Sequence, residues 1–123
     1  MGPCRITEKT PFGVCGADVD TIVARNFLRA VAAGASAHSD HGRGVAEVFL
    51  ATARGKAPDY DFKDTVKLYK LAQELAVEIK DRSIREIAID VGEIALAEFG
   101  KPEGTQLMAN RAPKPRLEIW QKT

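Results

Sequence analysis

The sequence has few of the features that mark secreted or nucleic-acid-binding proteins. Two cysteines among 123 residues are too few for a disulfide scaffold, and in a reducing cytoplasm such a pair is more often free thiol or metal ligand. Eighteen basic and seventeen acidic residues leave a net charge of +1, so no general attraction to nucleic acid or anionic lipid is expected. We therefore expect a cytoplasmic protein without a nucleic-acid partner.

Long apolar runs are also missing. Four charged residues interrupt the most apolar stretches: Arg25, Arg29, Asp40 and Glu47. This rules out the apolar span of about 20 residues that a transmembrane helix needs. Charged residues within the first nine positions likewise break up any secretory signal. Strand-like alternation and internal repeats are absent as well, so the expected fold class is all-α.

The first 18 residues differ in composition from the rest. They contain both cysteines, two prolines and three glycines, a composition that is typical of an irregular loop. From Asp20 onward apolar residues repeat at helical spacing, with Asp18 or Asp20 as N-cap. The predicted buried stripe of this long helix comprises Phe27, Val31, Ala35, Val45, Val48 and Phe49. Glycines within it suggest close packing or a kink near Gly42.

Two shorter helices are predicted to follow and to pack against the long one. Asp61 is expected to cap the second, and Ser83 with Glu86 forms the S-x-x-E capping box of the third, which ends at Gly100. The predicted stripe of the second helix is Phe62, Val66, Tyr69, Ala72, Leu75, Ala76 and Ile79. That of the third is Ile84, Ile87, Ala88, Val91, Ala95 and Phe99. One more short apolar turn is expected near Trp120.

Cys4 and Cys15 are the first candidates for chemistry. Cysteine thiolates hold iron-sulfur clusters, and the glycines beside both residues let backbone N–H groups approach the sulfurs. A cubane cluster normally takes four protein ligands, so two cysteines also fit ordinary free thiols. Spacing leaves both interpretations open.

His38 and His41 are the second candidates. Their separation places both rings on one helix face, which continues the apolar stripe from Val31 and Ala35. Two packed, hydrogen-bonded histidines and a proton relay are both consistent with this pattern. A zinc site formed by Cys4, Cys15, His38 and His41 is a third interpretation, although its gaps of ten and two residues depart from zinc-finger spacing.

These residues lie in strings that resemble a known family. GPCRI at residues 2–6 and GVCGADVDTIVARNFLRAVAAGASAHSDHGR at residues 13–43 closely resemble the catalytic subunit of anaerobic nickel carbon monoxide dehydrogenases. The likeness continues through EFG at residues 98–100 and RAPKPRLEIWQK at residues 111–122, so it covers essentially the whole chain.

The resemblance implies a site for each candidate residue. In that family carbon monoxide and water become carbon dioxide, two protons and two electrons at a nickel-iron-sulfur C cluster, and electrons leave through B and D clusters. Cys4 and Cys15 match the third and fourth ligands of the 4Fe-4S B cluster. His38 and His41 match the first members of a histidine ladder for protons, whose later steps are replaced here by Gly44 and Glu47.

The resemblance also implies that the chain is a fragment. We expect a cysteine loop at residues 1–18 and a helical region at residues 19–123, together a single incomplete domain of a larger enzyme and inactive alone. The C-cluster ligands would lie elsewhere. Expected partners are the rest of the subunit, a second copy in a homodimer, and ferredoxin or acetyl-CoA synthase. The alternatives are a non-catalytic helical module, a truncated product or a relative of hybrid-cluster proteins.

Overall fold

The computed structural model describes residues 5–122, which are all-α as expected. The helices are α1 (Val19–Ala53), α2 (Thr65–Glu74), α3 (Ile84–Ala97) and α4 (Lys114–Trp120), with a 3-10 turn at Ala109–Arg111. Within that range no strand occurs, apart from one isolated bridge. None of the described helices is apolar enough over a sufficient length to cross a membrane. The chain divides into two compact units, one up to Asp40 and one from His41 onward.

Local sequence signals set both ends of α1. Asp18 is its N-cap, because the Thr21 N–H donates to Asp18 Oδ1 over 2.8 Å. The helix runs without interruption through its three glycines and is followed by Gly55 in a left-handed conformation, φ +71°. There the Lys56 N–H donates to the Ala51 carbonyl over 2.8 Å. This is the glycine-dependent ending that satisfies the last helix carbonyls.

The second unit has a small core built mainly where α2 packs on α3. Its buried members are Ala53, Leu68, Ala72, Ile87, Ala88 and Val91. The end of α1 joins this core at Gly92, whose ideal Cβ position lies 3.3 Å from Leu50 Cβ. The long helix therefore packs on the shorter ones, as predicted. Leu68 was not in the predicted stripe.

The predicted cap of α2 is wrong. The helix begins at Thr65, and its N-cap is Asp64, whose Oδ1 accepts from the Lys67 N–H over 2.9 Å. Asp61 accepts from the adjacent Phe62 N–H instead. The ring of Phe62 packs edge-on against Phe49, with 5.2 Å between the ring centroids. The backbone from Phe62 to Asp64 is not helical.

The predicted stripe of α2 is partly wrong for a related reason. The helix ends at Glu74, and Ala76 has φ +57°, so Ala76 and Ile79 lie outside it. Val66 is exposed, whereas Leu68 and Ala72, one turn apart, are buried. The buried side of α2 is therefore formed by Leu68 and Ala72 and not by Val66.

The capping box of α3 is confirmed, and its stripe is largely so. The Glu86 N–H donates to Ser83 Oγ over 3.3 Å, and the Ser83 N–H donates to Glu86 Oε2 over 2.8 Å. All six residues of the predicted stripe are buried or half-buried: Ile84, Ile87, Ala88, Val91, Ala95 and Phe99. Two local rules thus predicted this helix well.

The predicted buried stripe of α1 is mostly wrong. Only Phe49 packs against the core of the second unit, and Ala35 is exposed. The large exposed members are Phe27, Val31, Val45 and Val48. Their spacing is helical, but among the described residues nothing covers them. The helical spacing of apolar residues correctly identified the apolar side of α1, but it did not predict that this side is exposed.

Candidate cluster-binding loop

The described part of the cysteine loop, from Arg5 to Asp18, is organised by two tight turns. In the first, the N–H groups of Thr7 and Thr10 donate to each other's carbonyls over 3.1 and 3.0 Å. Their hydroxyls are also hydrogen-bonded, 2.8 Å apart. This segment is thus held by its own polar groups and contains no buried residue.

The second turn presents Cys15. The Gly13 N–H donates to the Ala17 carbonyl over 2.8 Å, and the Gly16 N–H donates to the Gly13 carbonyl over 2.9 Å. Gly16 adopts φ +78°, a conformation that costs glycine little and other residues more. The side chain of Cys15 is exposed at this turn, as a free thiol. The other predicted ligand, Cys4, lies outside the described residues.

The surroundings of Cys15 favour its thiolate form. Hydrogen bonds lower the pKa of the thiol, first from the Ala17 backbone N–H and next from the Arg25 guanidinium. The turn also ends where α1 begins, and a helix N-terminus carries partial positive charge. A thiolate is the form of cysteine that binds metals.

Arg25 influences Cys15, which was not expected from the sequence. The helical pattern places it with Arg29 on the polar side of α1, which was expected to face solvent or a partner, yet it is half-buried, and it lowers the pKa of the Cys15 thiol. Its Nε atom is buried and has no hydrogen-bond partner among the described residues. The available signal was an arginine in the second turn of the helix that follows the cysteine turn.

The histidines are not placed as predicted. His38 and His41 both lie on α1, and both are exposed. The expectation that they pack beside Val31, Ala35 and Val45 on a buried face is wrong here, because those neighbours are exposed as well. The proton relay itself stays a prediction.

Residues 5–122 contain no group of three or more His, Cys, Asp or Glu side chains arranged to hold a metal ion. The zinc interpretation is not tested by this observation, because Cys4 lies outside the described residues. The second unit has an open apolar groove of about 460 Å³ between the end of α1 and α3, which Leu107 also lines. Neither Cys15 nor either histidine lines it. The chemistry-bearing feature of the described chain is the Cys15 turn.

Comparisons with known proteins agree with the resemblance seen in the sequence. Carbon monoxide dehydrogenase 1 of Methanosarcina acetivorans is 49% identical over 123 residues, which is 98% of this chain and 20% of that protein. A Ni-free crystal structure of carbon monoxide dehydrogenase from Thermococcus sp. AM4 is 48% identical with a TM-score of 0.86, covering 99% of this chain and 20% of that one.

A structure of acetyl-CoA synthase/carbon monoxide dehydrogenase, described by the NiZn and NiNi Fe4S4 clusters of its alpha subunits, is 38% identical with a TM-score of 0.83. It is matched over 98% of this chain and 19% of its own. The chain thus spans about a fifth of the length of these relatives. The family match extends over residues 1–123. This protein belongs to the Prismane/CO dehydrogenase family.

Proposed function

We propose that this chain is the cysteine-bearing helical segment of an anaerobic carbon monoxide dehydrogenase subunit. The whole enzyme oxidises carbon monoxide with water to carbon dioxide, releasing two protons and two electrons. Cys4 and Cys15 are two of the four ligands of its 4Fe-4S B cluster. The nickel-iron-sulfur C cluster is held by residues elsewhere in the subunit.

The observation that carries this proposal is the state of Cys15 within a chain of this family. An exposed thiol is held on a closed turn, with two hydrogen-bond donors that favour its thiolate. Buried free cysteines with a structural role lack such surroundings. The donor set therefore fits a sulfur-ligated cluster, and the unpartnered Arg25 Nε–H adds a donor that a sulfur acceptor would satisfy.

The residues of the loop act by positioning the sulfur. Asp18 ties the loop to α1, and the Gly13–Ala17 turn fixes the backbone on both sides of Cys15. The glycine at position 16 leaves the backbone beside the sulfur uncrowded, since nothing lies within 4 Å of its ideal Cβ position. A cubane cluster bound there supplies one-electron transfer.

The histidines are proposed as the start of a proton path. An imidazole ring can both donate and accept a proton through its nitrogens, so an exposed histidine can exchange protons with water. His38 and His41 are both exposed, which is consistent with the solvent end of such a path.

The proposed setting is a cytoplasmic homodimer that passes electrons to ferredoxin. Association with acetyl-CoA synthase is a further proposal, supported by the similarity to a structure of the acetyl-CoA synthase/carbon monoxide dehydrogenase complex.

The test uses the full-length subunit that carries this segment. Cys15→Ser should remove the B cluster, measured as lost iron and a lost reducible chromophore, and should abolish carbon monoxide-dependent reduction of a viologen dye. Val14→Ser is the matched control, because Val14 is the exposed neighbour of Cys15 in the same turn. Unchanged iron content in Cys15→Ser would show that the ligand assignment is wrong.

A further inference from the structure

Glu98, the C-cap residue of α3, holds two points of the loop that follows it. The Leu107 N–H, nine residues further along the chain, donates to Glu98 Oε2 over 2.9 Å. The Lys101 ammonium donates to Glu98 Oε1 over 3.0 Å. The Glu98 side chain is only 25% exposed, so solvent screens these bonds less than it would on an open surface. One carboxylate therefore closes residues 101–107 against the end of α3.

Few other bonds attach this segment, residues 101–107, which we name the strap. Within the described range, no N–H of positions 103–106 donates to a backbone carbonyl, and Pro102 has no N–H to donate. Residues 101–106 are exposed, and only Leu107 is half-buried. An exposed backbone with few buried apolar contacts is typical of a segment that opens locally while the rest of the domain stays folded.

The last residue of the strap lines the open apolar groove of the second unit. The end of α1 contributes Val45 and Phe49 to this groove, and α3 contributes Ala95. Leu107 lines it from the strap. The strap thus supplies a side of the groove that neither helix provides, and the shape of the groove depends on where the strap is held.

We propose that Glu98 is a latch, whose carboxylate holds the strap beside the apolar groove and controls a local opening that leaves α3 folded. The proposal concerns the second unit alone and does not depend on the role of Cys15. Hydrogen bonds to an ionised carboxylate are about twice as strong as those between neutral groups. The Leu107 N–H and then Lys101 hold the pKa of Glu98 below its ordinary value, so the carboxylate is ionised at neutral pH.

The test is hydrogen–deuterium exchange of single amides at neutral pH in the 123-residue chain, followed by nuclear magnetic resonance. Glu98→Ala should speed exchange of the Leu107 amide on the order of tenfold, because that N–H loses its acceptor. Glu98→Gln should speed it less, since a neutral amide oxygen still accepts a hydrogen bond. The amide of Val91, in the middle of α3, should exchange as slowly as in the parent chain.

Glu93→Ala is the matched control. Glu93 presents the same carboxylate from α3, but it accepts from Arg54 over 2.7 Å and not from the strap. This variant should leave the Leu107 amide unchanged. The methyl resonances of Val45, which lines the same groove as Leu107, should shift in Glu98→Ala and stay in place in Glu93→Ala.

An unchanged Leu107 amide in Glu98→Ala would overturn the proposal, and so would an equal acceleration in Glu93→Ala. Equal acceleration of the Leu107 and Val91 amides would show that the strap does not open by itself, which also overturns it. Unshifted Val45 methyls would refute the link to the groove. Should Glu98→Ala not fold, Glu98→Gln decides: faster exchange at Leu107 alone supports the latch, and no difference from the parent chain overturns it.

Discussion

The two compact units contain similar apolar side chains, and only one unit buries them. From His41 onward, Ile87 and Ala72 are 0% exposed. Before that point Phe27 is 72% and Val31 53% exposed, and no residue between 5 and 40 is buried. Helical spacing is present in both regions. The difference shows that spacing identifies an apolar face, whereas burial requires a second surface opposite it.

The candidate cluster ligand lies in the unit that lacks a buried core. The first unit presents Cys15 and Arg25 on a loop and helix held by hydrogen bonds, without a core of its own among residues 5–40. The second has a core but no cysteine. Substitutions can therefore test whether stability lies in one unit and chemistry in the other.

The largest effect on stability is expected from Ile87→Ala. Ile87 is fully buried between α2 and the end of α1, and removing its side chain should lower the free energy of unfolding by about 2 to 5 kcal/mol. Val23→Ala is the control in the first unit, and it should change the free energy by less than about 0.5 kcal/mol because Val23 is exposed. Urea unfolding of the 123-residue chain, followed by circular dichroism, measures both. Equal losses would remove the distinction between the units.

Glycine substitutions should have opposite signs in the two units. At Gly92 an added Cβ would lie 3.3 Å from Leu50 and Phe49, so Gly92→Ala should destabilise the chain by about 1 to 3 kcal/mol. At Gly34 nothing lies within 4 Å, so Gly34→Ala should stabilise the helix by up to about 1 kcal/mol. Thermal unfolding of both variants beside the parent chain is the measurement. A gain in stability at Gly92 would show that α1 and α3 pack less closely than described.

The smallest effect is expected at the cap of α3. Ser83→Ala should cost about 1 kcal/mol at pH 7, because Ser83 caps the helix and hydrogen-bonds Glu86 over 2.6 Å. Those bonds hold the pKa of Glu86 below its ordinary value of 4.5, so their contribution is present above that pH and is lost as the pH falls through the lower, folded value.

The measurement is the difference in unfolding free energy between Ser83→Ala and the parent chain from pH 7 down to pH 3. It should shrink below about pH 4.5. Ser36→Ala, at an exposed position within α1, should stay within about 0.5 kcal/mol at every pH. A pH-independent difference for Ser83→Ala would mean that the carboxylate of Glu86 does not contribute to the cap.

Much of the fold could be predicted because its signals are local. The capping box at Ser83 and the N-cap at Asp18 each depend on contacts within three residues; the first was predicted, and Asp18 was one of the two caps predicted for α1. The second helix was predicted less well, because Asp61 and Asp64 are equivalent as local signals. The contact between Phe49 and Phe62 lies beside these two candidate caps. It joins residues 13 positions apart, so a local sequence signal does not reveal it.

The candidate site was predicted only in part. Cys15 was identified from its residue type, its glycine neighbours and the family resemblance. Arg25 was not, because on a helical projection it belongs to the polar face with Arg29. Its effect on the pKa of Cys15 depends on how the Gly13–Ala17 turn folds next to the start of α1.

The sequence by itself determined the all-α class, the capping box of the third helix and the family resemblance, because these depend on residue type and on interactions within a turn. Only the tertiary structure decided that Leu68 and not Val66 is buried, that the apolar face near Val31 is exposed, and that Arg25 lowers the pKa of Cys15. Each of these outcomes depends on packing between segments that are distant in the sequence. The spacing of residues along one helix does not determine that packing.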